Sequence, residues 1–276
     1  MIKLIVCMKQ VPMVSELPWD SKTGTLKRTL ADGMMNPACK HALEAALQIK
    51  QIHGGTIAAL TMGPLSAEEI LREAIAMGAD RGILISDKRL AGSDTYVTSY
   101  TLAKAIETVC PDFDLILCGC HTSDSETGQV GPQLSEELNI PGVAYVEHLE
   151  LINRSIQIQR TSDNHLETLE MDLPALITLS TSHYCPRYTS LEGLQLAFEN
   201  ADISIFNGDD LGIDPKQIGV KGSPTRIVKV YSPMTKKKNV VLTGSTKKIL
   251  DQLYDQFGDR ISGIIGKDLQ THYHDE

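Results

Sequence analysis

The chain has 276 residues, 42% of them hydrophobic, and a net charge of -9. That is enough apolar material for a sizeable core in one large domain or one domain with an appendage. No basic stripe interleaved with aromatics is present, which argues against a nucleic-acid partner, and no apolar run approaches the roughly 20 residues that span a bilayer.

The opening MIKLIVCMKQVP is a short apolar run stopped by Pro12, expected as a buried first strand over residues 2–8 and not as a signal peptide. Ala42, Leu43, Ala46 and Leu47 follow at helical spacing. Residues 56–62 form the second predicted strand, closed by Gly63-Pro64. Ser66 and Glu69 have the spacing of a capping box for a helix continued by Ile70, Leu71, Ala74 and Ile75, with Gly78 as its left-handed end. Residues 82–86 make a third strand, and residues 94–109 a helix capped by Ser93 or Asp94. The fourth strand covers 114–118, the next helix 127–138 and the fifth strand 143–146. Strands and helices alternating at these intervals imply right-handed crossovers: an α/β fold with a doubly wound, mostly parallel sheet ordered 3-2-1-4-5.

The second half changes character. Residues 149–152, Asn153-Arg154 and residues 155–160 spell a β-hairpin, with residues 168–171 and 175–178 as further strand material. After Tyr188 the periodicity fades through residues 190–245, apart from short apolar runs such as 227–230, until an amphipathic helix over 246–257. The expected division is therefore a nucleotide-binding α/β domain with its hairpin at 1–188, and an extended carboxyl-terminal arm with a terminal helix at 189–276. A segment of that length without its own core is expected to pack against another chain. The lysines at 236–238 and 247–248 are expected to be solvated. Six cysteines without a CxxC pair point to reduced thiols in a cytoplasmic protein, and Cys118-Gly119-Cys120 lacks the second ligand pair that a metal would need.

The stretch CGCHTSDSETGQVGPQLSEEL, residues 118–138, is where chemistry is expected. In an open parallel sheet, ligands settle beyond the carboxyl ends of the strands where the strand order reverses. Here that is between the first and fourth strands, whose following loops are residues 7–12 and 119–132. The helix after the fourth strand offers free amides and a positive dipole end, which suit a phosphate. Thr127, Gly128 and Gln129 bring a hydroxyl, amides and a carboxamide to that end, and Gly128 and Gly131 leave space for close approach. The plainer alternative is that Asp124 and Thr127 only cap the helix. Neither GxGxxG after the first strand nor a Walker lysine is present, so these residues specify a nucleotide-sized anion site and no more.

Several motifs in order carry the identification further. IVCMKQVP, MNPACKHALEAAL, LTMGPLSAEEILREAIAMGADRGILISD, DLILCG with DSETGQVGPQ, and PRYTSLEG together resemble the beta subunits of electron transfer flavoproteins over most of the chain. The resemblance implies an adenine-nucleotide-binding sheet and an arm that embraces an alpha subunit carrying its own FAD. Family members hold either AMP, as a structural ligand, or a second FAD that exchanges a hydride with NADH in the electron-bifurcating branch. DSETGQVGP is closer to the bifurcating pattern D-G-D-T-A-Q-V-G-P, and GSDTYVTSYTLAKAI is similar to FAD-holding members. FAD is therefore the favoured expectation, AMP the alternative, and NADH the reductant of the bifurcating form. The resemblance assigns the ligand to Cys7, Met8, Lys9 and Asn36 beside the adenosine, to Thr61, Met62 and Gly63 as a wall, and to Asp94, Thr95 and Thr98 beside the larger ligand. Cys118, Gly119, His121, Asp124, Thr127, Gly128, Gln129, Val130 and Gly131 complete the set along the nucleotide loop.

There are departures. Cys120 and His121 stand where a basic residue and glutamine are usual, so a cation near the ligand is lost unless protonated His121 replaces it; otherwise His121 faces solvent. Thr122-Ser123 replaces a common Ala-Ile, and LQLAFENAD replaces a lysine-rich stretch after PRY, which puts the usual acyl-CoA dehydrogenase partner in doubt. A flavin-dependent dehydrogenase of unspecified identity remains the expected redox partner. Arg187 and Tyr188 are expected to shape the subunit interface or to form a plain surface turn. No nucleophile, base and orienter fall together, and the eight histidines have no evident partners; the resemblance implies a chain that carries electrons through a flavin, with NADH oxidation only in a bifurcating complex.

Overall fold

The computed structural model describes residues 1–13, 19–20, 25–26, 32–226, 228 and 240–271. The basic run at 236–238, the 227–230 run apart from Val228, and His272 and His274 lie outside the described residues. The apolar opening forms β1 (Ile2–Cys7), followed by three short strands, β2 (Gln10–Pro12), β3 (Trp19–Asp20) and β4 (Thr25–Leu26), and by β5 (Gly33–Met35), which pairs with β2. Pro37, whose missing N–H costs a helix nothing in its first turn, opens α1 (Pro37–His53). Next come β6 (Gly55–Met62), α2 (Glu68–Met77), β7 (Arg81–Ile85), α3 (Thr95–Val109), β8 (Leu115–Gly119), α4 (Val130–Glu137) and β9 (Gly142–Val146).

Two readings of the helix starts need correction. The chain enters α2 through a 3-10 turn at Leu65–Ala67, so Ser66 lies inside that turn and makes no capping box. Its hydroxyl donates instead to Gln10 Oε1 at 3.3 Å. The helix after β8 begins at Val130, three residues later than expected, with Gln129 at its start and no side-chain cap. Asp94 does cap α3, its carboxylate accepting from the Val97 amide at 3.0 Å.

The hairpin is the first part of a three-stranded antiparallel sheet, β10 (His148–Ile152), β11 (Ser155–Ser162) and β12 (His165–Asp172). Then β13 (Ala175–Leu179), buried along its whole length, runs parallel between β8 and β9. Strands buried on both faces in this way belong in the middle of a parallel sheet. Beyond it, α5 (Leu191–Glu199) packs on α2, and β14 (Ile203–Phe206) pairs parallel with β7, where the fading pattern gave no regular element. The central sheet is thus seven-stranded, in the order β14-β7-β6-β1-β8-β13-β9. The expected 3-2-1-4-5 succession survives with β13 inserted before the last strand and β14 added at the other edge.

Alternate residues of the strands feed two cores. Leu4, Val6, Ile57, Ala59, Leu84 and Leu117 face α1 and α2, whereas Ile5, Cys7, Leu60, Ile83, Ile116 and Cys118 face α3 and α4. This period-2 division fixes the register, since a one-residue slip would turn every side chain to the wrong layer.

The described chain divides into two compact units, Met1–Val230 and Tyr231–Glu276. The first contains the sheets and a short helix, α6 (Gly219–Gly222); the second contains α7 (Thr246–Thr271), which runs well past the predicted end at Phe257. No helix among the described residues is long and apolar enough to cross a membrane.

Candidate functional site

The order of the sheet reverses at β1. The chain leaves β1 towards β6 and β7 and returns on its other side at β8, so a crevice opens beyond the carboxyl ends of β1 and β8. Cys7 and Cys118 are paired at that end, and the loops that leave them, from Met8 and from Gly119, form its two walls. Gly119 permits the close approach of α1, for a Cβ there would lie 2.7 Å from the carbonyl carbon of Ala38.

Asn36, 1% exposed, holds the corner together. Its Nδ2 donates to the His121 carbonyl at 2.9 Å, its Oδ1 accepts from the Ser123 amide at 3.0 Å, and its own amide donates to the Lys9 carbonyl at 2.9 Å. One residue therefore ties the corner: its carboxamide holds the loop after β8 to the start of α1, and its backbone amide holds the loop after β1. Lys9 adds a second tie, with Nζ 2.8 and 2.9 Å from the two carboxylate oxygens of Asp124. The Asp124 side chain is only 3% exposed, so it is part of the loop's interior and does not cap α4.

Past Asp124 the loop turns through Glu126, at φ 49°, and Gly128, at φ 63°. Among the described residues, the amides of Thr127, Gly128, Gln129, Val130 and Gly131 have no acceptor. Five consecutive unpaired N–H groups at the positive end of a helix make an anion cradle, because backbone donors must be satisfied by something and the helix dipole favours negative charge there. Gln129 Oε1 accepts from Thr95 Oγ1 at 3.0 Å, which brings the start of α3 to the corner and leaves the Gln129 amide nitrogen free to donate. Gly131 has a different use from the one expected: it is buried, and a Cβ on it would collide with the Thr178 methyl of β13, so it serves the packing of α4 on the sheet.

The other assigned residues divide. Thr61 and Met62 end β6 and Gly63 follows it, beside β1 but on the side away from β8, and the buried Thr61 hydroxyl has no partner among the described residues. Asp94 is occupied: beyond its cap, its Oδ2 accepts from the Thr225 amide at 3.0 Å and hydroxyl at 2.8 Å. Burial alone would raise its pKa, but the bonds from Val97, Thr225 and Tyr96 outweigh it and hold the carboxyl below its ordinary value. Thr98 lies within α3, its amide bonded to the Asp94 carbonyl. The thiols near the corner are held protonated. The Cys7 thiol and burial push Cys118 well up, and burial pushes up Cys39 and Cys120.

His121 neither joins the amides nor stands alone, since Nδ1 lies 3.1 Å from the Cys120 sulfur. His148 and His183, expected to lack partners, meet at 3.1 Å between Nδ1 and Nε2. Three residues that bear on the corner escaped the sequence reading. Ser99, whose hydroxyl bonds the Thr95 carbonyl at 2.7 Å, also lies 3.2 Å from the Val130 carbonyl, Thr178 packs under Gly131, and Tyr145 reaches Gly128. Ser99 sits one turn after Thr95, a spacing that could have marked it; nothing comparable marks the other two. Arg187 grips Glu44 of α1 through Nε at 2.8 Å and Nη2 at 2.9 Å, whereas Tyr188 is fully exposed.

Residues 23–201 match the electron transfer flavoprotein domain family. The chain is 38% identical to the electron transfer flavoprotein subunit beta of Thermoanaerobacterium thermosaccharolyticum over 259 residues, 94% of this chain and 99% of that one. It is 40% identical, over 89% of its length and 93% of the relative, to a subunit of the caffeyl-CoA reductase–Etf complex of Acetobacterium woodii. An acryloyl-CoA reductase electron transfer subunit of Anaerotignum propionicum is 37% identical over 92% of this chain and 97% of its own.

Proposed function

Because the chain belongs to the electron transfer flavoprotein family and fills the role of a beta subunit, we propose that its corner binds the diphosphate of FAD and that it works as a heterodimer with a flavin-carrying alpha subunit. The observation that carries this reading is the run of amides from Thr127 to Gly131 that have no acceptor among the described residues, beyond the ends of β1 and β8. Those donors suit a phosphate without any basic loop. When bound, FAD would supply the electron and hydride chemistry. This chain's residues would hold it: the amides and the Gln129 carboxamide on the phosphates, Asn36 and the Lys9–Asp124 pair fixing the loop, and the end of β6 closing one side. We assign electron transfer between NADH or a flavin-dependent dehydrogenase and the partner's FAD, by flavin-based bifurcation. The names of two relatives, drawn from assemblies with CoA-ester reductases, support a redox partner of that class. Six free thiols fit a cytoplasmic complex.

One observation favours a smaller ligand. The carboxylate of Asp94, expected beside the flavin end, is committed to Val97 and Thr225, which suits AMP held only as a structural ligand. An absorption spectrum of the purified two-chain complex, with nucleotide extraction, decides between them. Two flavins per heterodimer support FAD; one flavin with one extractable AMP supports the alternative; neither ligand would overturn the corner as a nucleotide site. In anaerobic titration with NADH, the second flavin should bleach, and failure to do so rejects bifurcation.

A further inference from the structure

Six non-glycine residues among those described have positive φ. Asn139, Asn153, Asp163 and Asn164 are of the types whose short polar side chains tolerate that conformation. The other two, Glu126 and Tyr145, both stand at the corner. Glu126 has a local reason, because its amide closes a turn on the Thr122 carbonyl at 2.8 Å. Tyr145, at φ 59°, sits at an irregularity of the β9–β13 pairing, and a bulky residue held in the left-handed region is strained.

Its surroundings hold it there. The Tyr145 amide donates to the Thr178 hydroxyl at 3.0 Å, next to an irregularity in the β9–β13 register between Ile177 and Leu179. Thr178 is itself 1% exposed and packs against Gly131. From that anchor the ring reaches back to the loop, so that a Cβ on Gly128 would lie 2.9 Å from the phenol oxygen. Tyr145 is nevertheless about half exposed, and no hydrogen bond to its hydroxyl is seen among the described residues. The ring is thus brought to the loop with its hydroxyl beside Gly128.

We propose that Tyr145 is a ligand-contacting residue of the corner, its phenol hydroxyl donating to a phosphate oxygen of the nucleotide beside the amides of Thr127–Gly131. The assignment rests on the corner being a nucleotide site. The backbone strain is then the cost of delivering a donor from β9 to a loop that has no side chain at Gly128 to supply one.

The test uses the two-chain complex freed of exchangeable nucleotide, titrated with ADP and separately with adenosine, for wild type, Tyr145→Phe and Tyr145→Gly. Loss of a hydrogen bond to a charged oxygen should weaken ADP about tenfold or more in both variants, with adenosine unchanged. The thermal midpoint of the nucleotide-free Tyr145→Gly complex should be no lower than that of wild type, because glycine accepts the backbone angle. ADP binding within threefold of wild type in the Phe variant, or an equal loss for adenosine, overturns the tyrosine assignment alone. A wild-type complex that binds no ADP removes the nucleotide site itself, and the proposal with it.

Discussion

Replacing Asn36 with alanine should loosen the corner and leave the sheet intact. The substitution removes the donor to the His121 carbonyl and the acceptor for the Ser123 amide, both from a residue that is 1% exposed. The weak contact from Nδ2 to the Cys39 sulfur at 3.4 Å goes with them. A net hydrogen bond contributes about 1 kcal/mol, and a buried partner left unpaired costs about 1–3 kcal/mol. His121 is half-buried and Ser123 exposed, so water can reach part of what is freed and the low end applies. Two bonds at about 1 kcal/mol each give a loss of about 2 kcal/mol, which in a protein of this size lowers the thermal midpoint by roughly 4–8 °C. The backbone bond from the Asn36 amide to Lys9 survives, so α1 should still start in place. Scanning calorimetry of the heterodimer, with nucleotide retention after gel filtration, measures both effects. If the alanine variant melts within 1 °C of wild type and keeps its nucleotide, Asn36 is not the clasp inferred from its bonds. Asn36→Asp gives a sharper contrast. It keeps the acceptor for Ser123 but sets a buried carboxyl against the His121 carbonyl, which raises that group's folded pKa. Its stability should therefore improve as pH falls and the carboxyl becomes a donor.

Other substitutions probe the frame around the corner. Gly131→Ala should cost about 1–3 kcal/mol in denaturant unfolding through its collision with the Thr178 methyl, and Thr178→Ser in the same chain should restore most of it; an alanine variant of unchanged stability would refute the packing role. Glu44→Gln should cost about 1–2 kcal/mol by weakening its bonds to Arg187. Burial works to raise the Glu44 pKa, but Arg187 and Gln48 more than reverse it, so the folded carboxyl titrates lower than the unfolded one. That contribution is present above the unfolded value of about 4.3 and is lost as pH falls through the folded one, so the melting curves of wild type and Gln variant should converge only in acid. Asp94→Ala should remove the cap of α3 and the hold on Thr225, costing about 1–2 kcal/mol and speeding proteolysis near residue 225, while Asp94→Asn keeps most of the cap.

The parallel sheet was legible because its strands are continuous apolar runs separated by helical periods, and the switch between β1 and β8 followed from their order. The place of β13 was written in Ala175–Leu179 too, since five apolar or small residues without alternation belong inside a sheet. Proximity to the hairpin hid it. By contrast β14 has a burial pattern of half-exposed and exposed residues and only four residues, and its edge position could not be told from a loop. At the corner, the loop and its glycines were legible because a turn with positive φ at Gly128 and a close approach at Gly131 constrain composition. The use of each residue was not legible. Asn36 and Asp124 turned inward, Gly131 served packing, and Tyr145 depends on a backbone angle that no residue type announces.

The electrostatics of the corner explain how an acidic chain could hold an anion there. Lys9 Nζ lies 2.8 Å from the near-buried carboxylate of Asp124, which faces the lysine's charge. The thiols of Cys39, Cys118 and Cys120 are kept neutral, so they neither repel nor attract a phosphate. Among the described residues, fixed dipoles supply attraction at hydrogen-bond distance: five amides and the start of α4, whose influence fades within about one helical turn. Repulsion from the net charge of -9 is spread over the surface and screened beyond about 8 Å at physiological salt, whereas the amides act at hydrogen-bond distance. A basic residue in place of Cys120 or His121 would add a charge to that balance and favour the more negative, reduced form of any flavin nearby.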